Sequence, residues 1–376
     1  VAVDDRQVTP PREPTLELEV DEVTPQVEPN EPPSEPVEKP TGWARRLWWI
    51  HSIYALGLGI FIAVYAGREF TYARWLLLSV IAVWTMLVLI YRTFGHRPEV
   101  EDETLVKKVG FHAMTWVLKN LYQGMLFFLL PFYWRSTTFG TANQWFLLIL
   151  GACALLATLD ILFDRLLIRF RFASTTYFIV TMFATLNLAI PALITGVDAF
   201  YALVGASVIS VVVVWLIHVP RWKWADVELR IALVAGLVGA IVVSYVARPL
   251  IPPVPHHILH GAVGPGSDGQ LTAYAHAVEV KTLEGLLAET RILAPGGAES
   301  SFRHEWMQGS TVVHVVEEPG RVTFATNPNE LLLRSTLPVH LVPKDAMGEW
   351  SVDVRTDSGR LIGRVSFRVF SSAIAP

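Results

Sequence analysis

A single cysteine, Cys153, in 376 residues removes any disulfide framework, so the domains of this chain must hold together by packing alone. Charge is scarce too: Asp, Glu, Lys and Arg make up 17% of the chain, against 52% hydrophobic residues. That balance excludes an ordinary water-soluble protein of this length and points to an integral membrane protein. Also missing are a nucleophile elbow, a phosphate-cradling glycine loop and the basic, aromatic patches that read nucleic acid. The sequence "RHEWMQG" at 303–309 lacks the second histidine of a zincin helix. Neither enzymatic activity, nor a cofactor, nor a nucleic-acid partner is expected.

Residues 1–41 lack an apolar face. They carry eleven acids against Arg6, Arg12 and Lys39, with nine prolines by Pro40, a composition that repels itself and favours extended, solvated chain. This segment reads as a disordered cytoplasmic tail, a spacer before it is a bait for a partner. It is acidic where the first segment of a cleavable signal is basic, so no signal peptide is read there.

What is abundant is the apolar run. Residues 42–248 hold seven, at 47–66, 73–91, 119–134, 145–163, 174–194, 199–219 and 229–247, each near the roughly 20 residues that cross a bilayer. The third is the shortest, and the amphipathic stretch 101–120 before it is expected to lie along the membrane surface before the chain turns in. One set of loops carries thirteen lysines and arginines and the other only Arg68, Arg74, Arg135 and Arg248. The basic set is therefore cytoplasmic, and the C-terminal part is placed outside, in the periplasm. Trp48, Trp49, Tyr72, Trp75, Tyr133, Trp134, Trp145, Trp222 and Trp224 cluster at run ends, as interfacial anchors do.

From 269 to 370 the period switches to alternation. Trp350, Val352 and Val354 share one face, Asp357-Ser358-Gly359 turns, and Leu361, Gly363, Val365, Phe367 and Val369 share a face again, with Arg360, Arg364 and Arg368 opposite. "TVVHVVEEPGRVTFAT" (311–326) reads as a second hairpin turning at Pro319-Gly320. Further strands are expected near 272–281, 286–293, 301–308 and 331–341. The fold class is thus a polytopic α-helical membrane bundle of about seven spans plus a C-terminal all-β, antiparallel, immunoglobulin-like sandwich. A Pro/Gly/His linker at 249–268 joins them, and 371–376 form a short tail.

Candidate residues fall into three groups. Ionisable and amide side chains in the spans, Gln123, Asp160, Asp164, Asn187 and His218, are costly in lipid unless they face a partner or water. Asp160 and Asp164 stand at i and i+4 near Arg165, Arg169 and Arg171, as an ion-pair cluster or as part of a solute path. In the β domain, His304, Glu305 and Trp306 with Trp350 set polar and aromatic groups side by side for a partner or ligand. The third group is "PHHILH": His256 and His260 at helical spacing, with His257 between, are weak metal candidates, because the surrounding prolines and glycines argue for a linker instead of a helix.

"QGMLFFLLPFYWRSTT" (123–138), "LD" at 159–160 and "LNLAIPAL" at 186–193 resemble the membrane part of bacterial proteins grouped as domain of unknown function 5924. "ILAPGGAESSFRHEW" and "GEWSVDVRTDSGRLIGRVSFRV" are similar to domain of unknown function 2914, with His304, Trp306, Trp350, Val352, Val354 and the 359–367 ending carrying the likeness. The resemblance covers most of 45–370 and implies a bacterial inner-membrane protein with an extracytoplasmic β domain; it brings no activity with it. The expected function is an anchor or scaffold, an accessory subunit whose β domain binds a periplasmic or membrane protein or an envelope polymer, with the lipid bilayer as its other partner. A transporter or channel is the rival, and it requires Gln123, Asp160 and Asn187 to meet at one watery cavity.

Overall fold

The computed structural model describes residues 105–371, apart from 164–165, 168–169, 195–196, 220–222, 268–269, 284, 295–300 and 325–326, together with isolated positions between 56 and 85. The acidic tail, nearly all of the two runs at 47–66 and 73–91, and Asp164 lie outside the described residues.

Among the described residues, five helices of fifteen residues or more precede the strands: α1 (Leu105–Arg135), α2 (Gln144–Thr158), α3 (Arg171–Leu193), α4 (Ala199–His218) and α5 (Val227–Ala247). Among the described residues three of them, not seven, are long and apolar enough to cross a membrane, at Phe172–Leu193, Ala199–His218 and Val227–Ala247. These match the last three expected runs closely, because a helix in lipid must satisfy every backbone group internally and so extends through the whole apolar run. The third and fourth runs differ. The surface-lying stretch and the third run form one unbroken 31-residue helix, α1, whose Lys107, Lys108 and Lys119 dilute its apolarity. The fourth run stops as a helix at Thr158, whose hydroxyl bonds back to Ala154 O at 2.9 Å, a contact that bends helices. Leu159 then leaves helical geometry (φ −92, ψ 87), and Asp160–Phe163 is a separate turn.

The helical core forms where α1, α2 and α3 meet: Leu126, Leu129, Tyr133, Leu150, Ala184 and Leu188 are all but inaccessible. α5 packs chiefly on α4, where Ser244 Oγ donates to Ser207 Oγ at 2.7 Å, and it leaves Ile231, Val234, Val238 and Val242 exposed. A row of bare aliphatic side chains is what a lipid-facing helix surface consists of.

The β-rich region holds two five-stranded sheets, ordered β2-β1-β4-β8-β7 and β3-β10-β9-β5-β6. The strands are β1 (His257–Ser267), β2 (Gln270–Leu271), β3 (Ala277–Glu279), β4 (Leu286–Leu293), β5 (Phe302–Gln308), β6 (Thr311–Val316), β7 (Gly320–Phe324), β8 (Asn327–Thr336), β9 (Gly348–Thr356) and β10 (Leu361–Phe370). Both sheets feed one shared core: Val263, Leu286 and Ala288 pack with Trp306, Trp350, Val352 and Phe367. The expected hairpin at 348–370 is present, with Gly359 at φ +80 in its turn. The expected hairpin at 311–326 is not: β6 pairs with β5 and β7 with β8, in different sheets. Glu317-Glu318-Pro319 is a turn, but it carries the chain from one sheet to the other, and a local turn signal does not distinguish these outcomes. The pairing is antiparallel throughout except for the parallel pair β3–β10.

The stretch expected to be a linker behaves otherwise. Residues 251–257 are all buried, Val254 belongs to the helical core, and 257–267 form β1. Its glycines serve close packing instead of flexibility: a Cβ on Gly264 would land on the Ala273 carbonyl oxygen, and one on Gly261 on a Val365 methyl.

Candidate functional site

The β-domain candidates separate onto two faces. His304, Trp306 and Trp350 are buried between the sheets. His304 Nδ1 lies 2.7 Å from Ser335 Oγ and Nε2 lies 2.9 Å from Thr290 Oγ1, while Trp306 Nε1 donates to Ser335 Oγ at 3.1 Å. One arrangement satisfies all of these: Ser335 accepts from Trp306 and donates to His304 Nδ1, and Nε2–H donates to Thr290. It requires a neutral imidazole, and burial pulls the His304 pKa down to about 4. Trp350 Nε1 donates to Ala346 O at 2.7 Å. These groups are satisfied core polar residues. Glu305, their neighbour in sequence, faces the opposite side, 2.8 Å from Arg303 and 2.7 Å from Arg355.

Among the described residues the intramembrane candidates form no single cluster either. Asn187 Nδ2 donates to Tyr133 Oη at 3.1 Å, and that hydroxyl donates to Ala184 O at 3.0 Å, tying α3 to α1. Gln123 is also buried, but it stands ten residues before Tyr133 on α1, about 15 Å along the axis. His218 is exposed at the far end of α4, 2.9 Å from Val214 O and 3.4 Å from Thr175 Oγ1. Of Asp160 only the backbone is described.

The three histidines of "PHHILH" sit on a strand and its approach, so His256 and His260 share no helix face. His256 Nδ1 lies 3.2 Å from Pro253 O and His257 Nδ1 lies 3.0 Å from Pro255 O; burial lowers both pKa values, that of His256 to about 4. His260 stacks edge-on against Tyr274. Among the described residues no group of three or more His, Cys, Asp or Glu side chains is placed to hold a metal.

The groups that do converge are arginines, where the β9–β10 turn meets the helix ends. Arg360 is 3% exposed and donates to three backbone carbonyls: Ala199 O at 2.5 Å, Ile251 O at 2.8 Å and Pro252 O at 3.0 Å. Its predicted place on the outward face with Arg364 and Arg368 is corrected by a register shift between Leu361 and Gly363, which turns it toward the bundle. Burial without a contacting carboxylate lowers its pKa to about 10. Asp198 caps α4 through Phe200 N–H at 2.7 Å and accepts from Ser358 Oγ at 3.4 Å. Arg248, just past α5, donates to Ser358 O at 3.4 Å and lies 4.7 Å from the Tyr245 ring centre. Beside this joint opens a cleft of about 390 Å³ lined by Thr141, Asn143, Arg248, Arg355, Arg360 and Arg364 among others. Sequence reasoning missed it. The available signal was that Arg248 and Arg135 were half of the four basic residues on the side predicted to be poor in them.

Two family profiles match. The "Family of unknown function (DUF5924)" covers residues 33–288 and the "Protein of unknown function (DUF2914)" covers 299–369. The boundary cuts through the β region: β1, β2, β3 and the first three residues of β4 fall under the first, the rest of β4 under neither, and β5 to β9 with all but the last residue of β10 under the second, yet β4 pairs with β8 and β3 with β10. No curated protein and no solved structure matches the chain.

Proposed function

We propose that this chain, which belongs to the family of unknown function DUF5924, is an inner-membrane anchor or scaffold that presents its β region to a protein or envelope partner in the periplasm. In this reading seven spans place the N-terminus in the cytoplasm, and the two sheets form an immunoglobulin-like sandwich. The loop charge bias supports that orientation. The stretch just past the C-terminal end of α5 and the start of α4 both meet the β region, where Ile251 and Ala199 accept from Arg360, at the end predicted to be poor in lysine and arginine.

One observation carries the proposal: the edge strand β6. It reads "TVVHVV", has no lysine, arginine or proline, and leaves Val312 48% and Val315 36% exposed. Natural edge strands are normally blunted by charge or proline, and an apolar, uncharged edge invites pairing with another strand. Held on the helix ends instead of swinging on a linker, that edge has a fixed position above the membrane. The transport alternative has less support, because Asn187 Nδ2 is spent on Tyr133 within the bundle, although its Oδ1 is buried with no hydrogen-bond partner among the described residues.

A photo-crosslinking residue at Val312 or Val315, in cells, tests this. A discrete adduct absent when the same residue is placed at the exposed Tyr274 is the expected result. Diffuse labelling indistinguishable from that at Tyr274 would remove the partner-binding edge. Should Asp160→Asn reproduce the phenotype of deleting the gene while a chain ending at residue 248 does not, the transporter replaces the scaffold.

A further inference from the structure

The cleft at the helix ends holds four guanidinium groups and no carboxylate among its lining residues. Two of the four are balanced from behind: Arg364 grips Asp353 at 2.6 and 2.8 Å, and Arg355 reaches Asp353 at 3.1 Å and Glu305 at 2.7 Å. The other two are not. No carboxylate lies within ion-pair distance of Arg248 or Arg360 among the described residues; Arg248 has one long hydrogen bond to a carbonyl, and Arg360 Nε is buried with no hydrogen-bond partner at all. An uncompensated buried cation is costly, and a bound anion would offset that cost.

Three further features narrow the anion. The volume, about 390 Å³, lies within the roughly 300–1,000 Å³ of small-molecule sites. Forked guanidinium donors match the oxygens of a phosphate group. Finally, Arg248 follows the last residue of α5 directly and Asn143 precedes the first of α2, so the cleft stands at the level where a membrane's headgroups lie. We propose that the Arg248/Arg355/Arg360/Arg364 cleft binds a phosphate group, that of an anionic phospholipid headgroup. Arg248 and Arg364 supply the accessible donors, and Arg360 supplies charge from below while it keeps the β9–β10 turn in place. Bound lipid would thereby bridge the bundle and the β region. This site is separate from the β6 edge, so either proposal stands if the other fails.

The test uses the full chain in lipid nanodiscs, with thermal unfolding and native mass spectrometry as readouts. Discs of phosphatidylcholine alone are compared with discs containing phosphatidylglycerol, and a third set of phosphatidylcholine discs receives inorganic phosphate, with chloride at matched ionic strength as control. The wild type is expected to retain phosphatidylglycerol and to melt higher in its presence, with Arg248→Gln binding it roughly 10- to 100-fold more weakly, the range for losing one hydrogen bond to a charged group. Arg248→Lys, which keeps the charge and loses the fork, is expected to fall between, and it stands in should Arg248→Gln fail to fold. Stabilisation by inorganic phosphate in the third set, lost in the same variants, would confirm the phosphate site and assign its ligand to the soluble phase. Equal retention and equal melting of wild type and both variants in every disc would overturn the proposal.

Discussion

Replacing Arg360 by alanine tests whether the β region is clamped to the helices or merely rests on them. The side chain donates three hydrogen bonds, but they are not equal. Pro252 O also accepts from Val254 N–H at 2.9 Å, and Ala199 O begins α4, where a helical partner is at hand. Only Ile251 O is left without a second partner among the described residues. A hydrogen bond from a charged donor contributes about 1.5–3 kcal/mol, and releasing a buried cation recovers part of a desolvation cost of several kcal/mol. One bond lost outright, two weakened and the partial recovery leave the docked state weaker by about 2–3 kcal/mol, which raises the undocked population roughly 30- to 150-fold. Hydrogen exchange reads that population directly. The amides of Val254 and His256, which bond to Pro252 O and Pro253 O, are expected to exchange faster by that factor, while those of Val352 and Val354 in β9 keep their wild-type rates. Arg360→Lys should give a smaller effect, since a point charge cannot reach all three carbonyls. Unchanged exchange at Val254 and His256, or acceleration spread equally into β9, would refute the clamp.

Three more outcomes follow from the same contacts. His304 is neutral when folded, with its pKa lowered from 6.5 to about 4, so its contribution is present above pH 6.5 and is lost as pH falls toward 4, by roughly 3 kcal/mol at most; the β region should melt progressively lower between pH 7 and 4, and a His304→Gln variant with the same slope would contradict this. Gly264→Ala forces a methyl group onto the Ala273 carbonyl and should destabilise the β region by about 1–3 kcal/mol, read as a lower Tm, with an unchanged Tm counting against the close approach of β1. A fragment beginning at residue 299 lacks β4, whose Leu286, Leu287, Ile292 and Leu293 are buried; at about 1.5–3 kcal/mol each their loss rivals the whole ~5–15 kcal/mol stability of a domain. That fragment should show no cooperative melt, whereas 257–371 should; a folded 299–371 would mean the second family profile marks a domain by itself.

The helices were legible because lipid makes the apolar run and the helix the same object: Ala199–His218 follows its run to within a residue. The fourth run shows the limit, since Thr158 bonding back to Ala154 and the departure at Leu159 leave no mark on hydropathy. In the β region alternation identified β4 to the residue and β5 to within one, but it missed β1, overran β3 and shifted β8, and it gave partners poorly, because "EEPG" turns the chain equally well within a sheet or across to the next one. His304 and Trp306 were visible as an unusual pair, yet the sequence could not tell a ligand site from a core network, a difference that rests on Ser335 and Thr290 arriving from β8 and β4.

The joint was the least legible part, and the reason is instructive. "PLIPPVPHHILHGAVGPG" (249–266) has the proline and glycine content of a flexible linker, and both residue types are present for the opposite purpose. Proline carries no N–H, so Pro252, Pro253 and Pro255 can be buried at the helix ends with one fewer donor each to satisfy. Glycine has no Cβ, so β1 can approach Ala273 and Val365 more closely than any other residue would permit. What distinguishes a flexible linker from a packed joint is the supply of donors for its carbonyls. Here part of that supply is local, from the N–H groups of Val254 and His256, and part is Arg360, more than a hundred residues later at a turn whose local pattern pointed it to solvent. The clamp and the arginine cleft therefore both involve long-range contacts of the β9–β10 turn with the helix ends, which composition and periodicity do not encode.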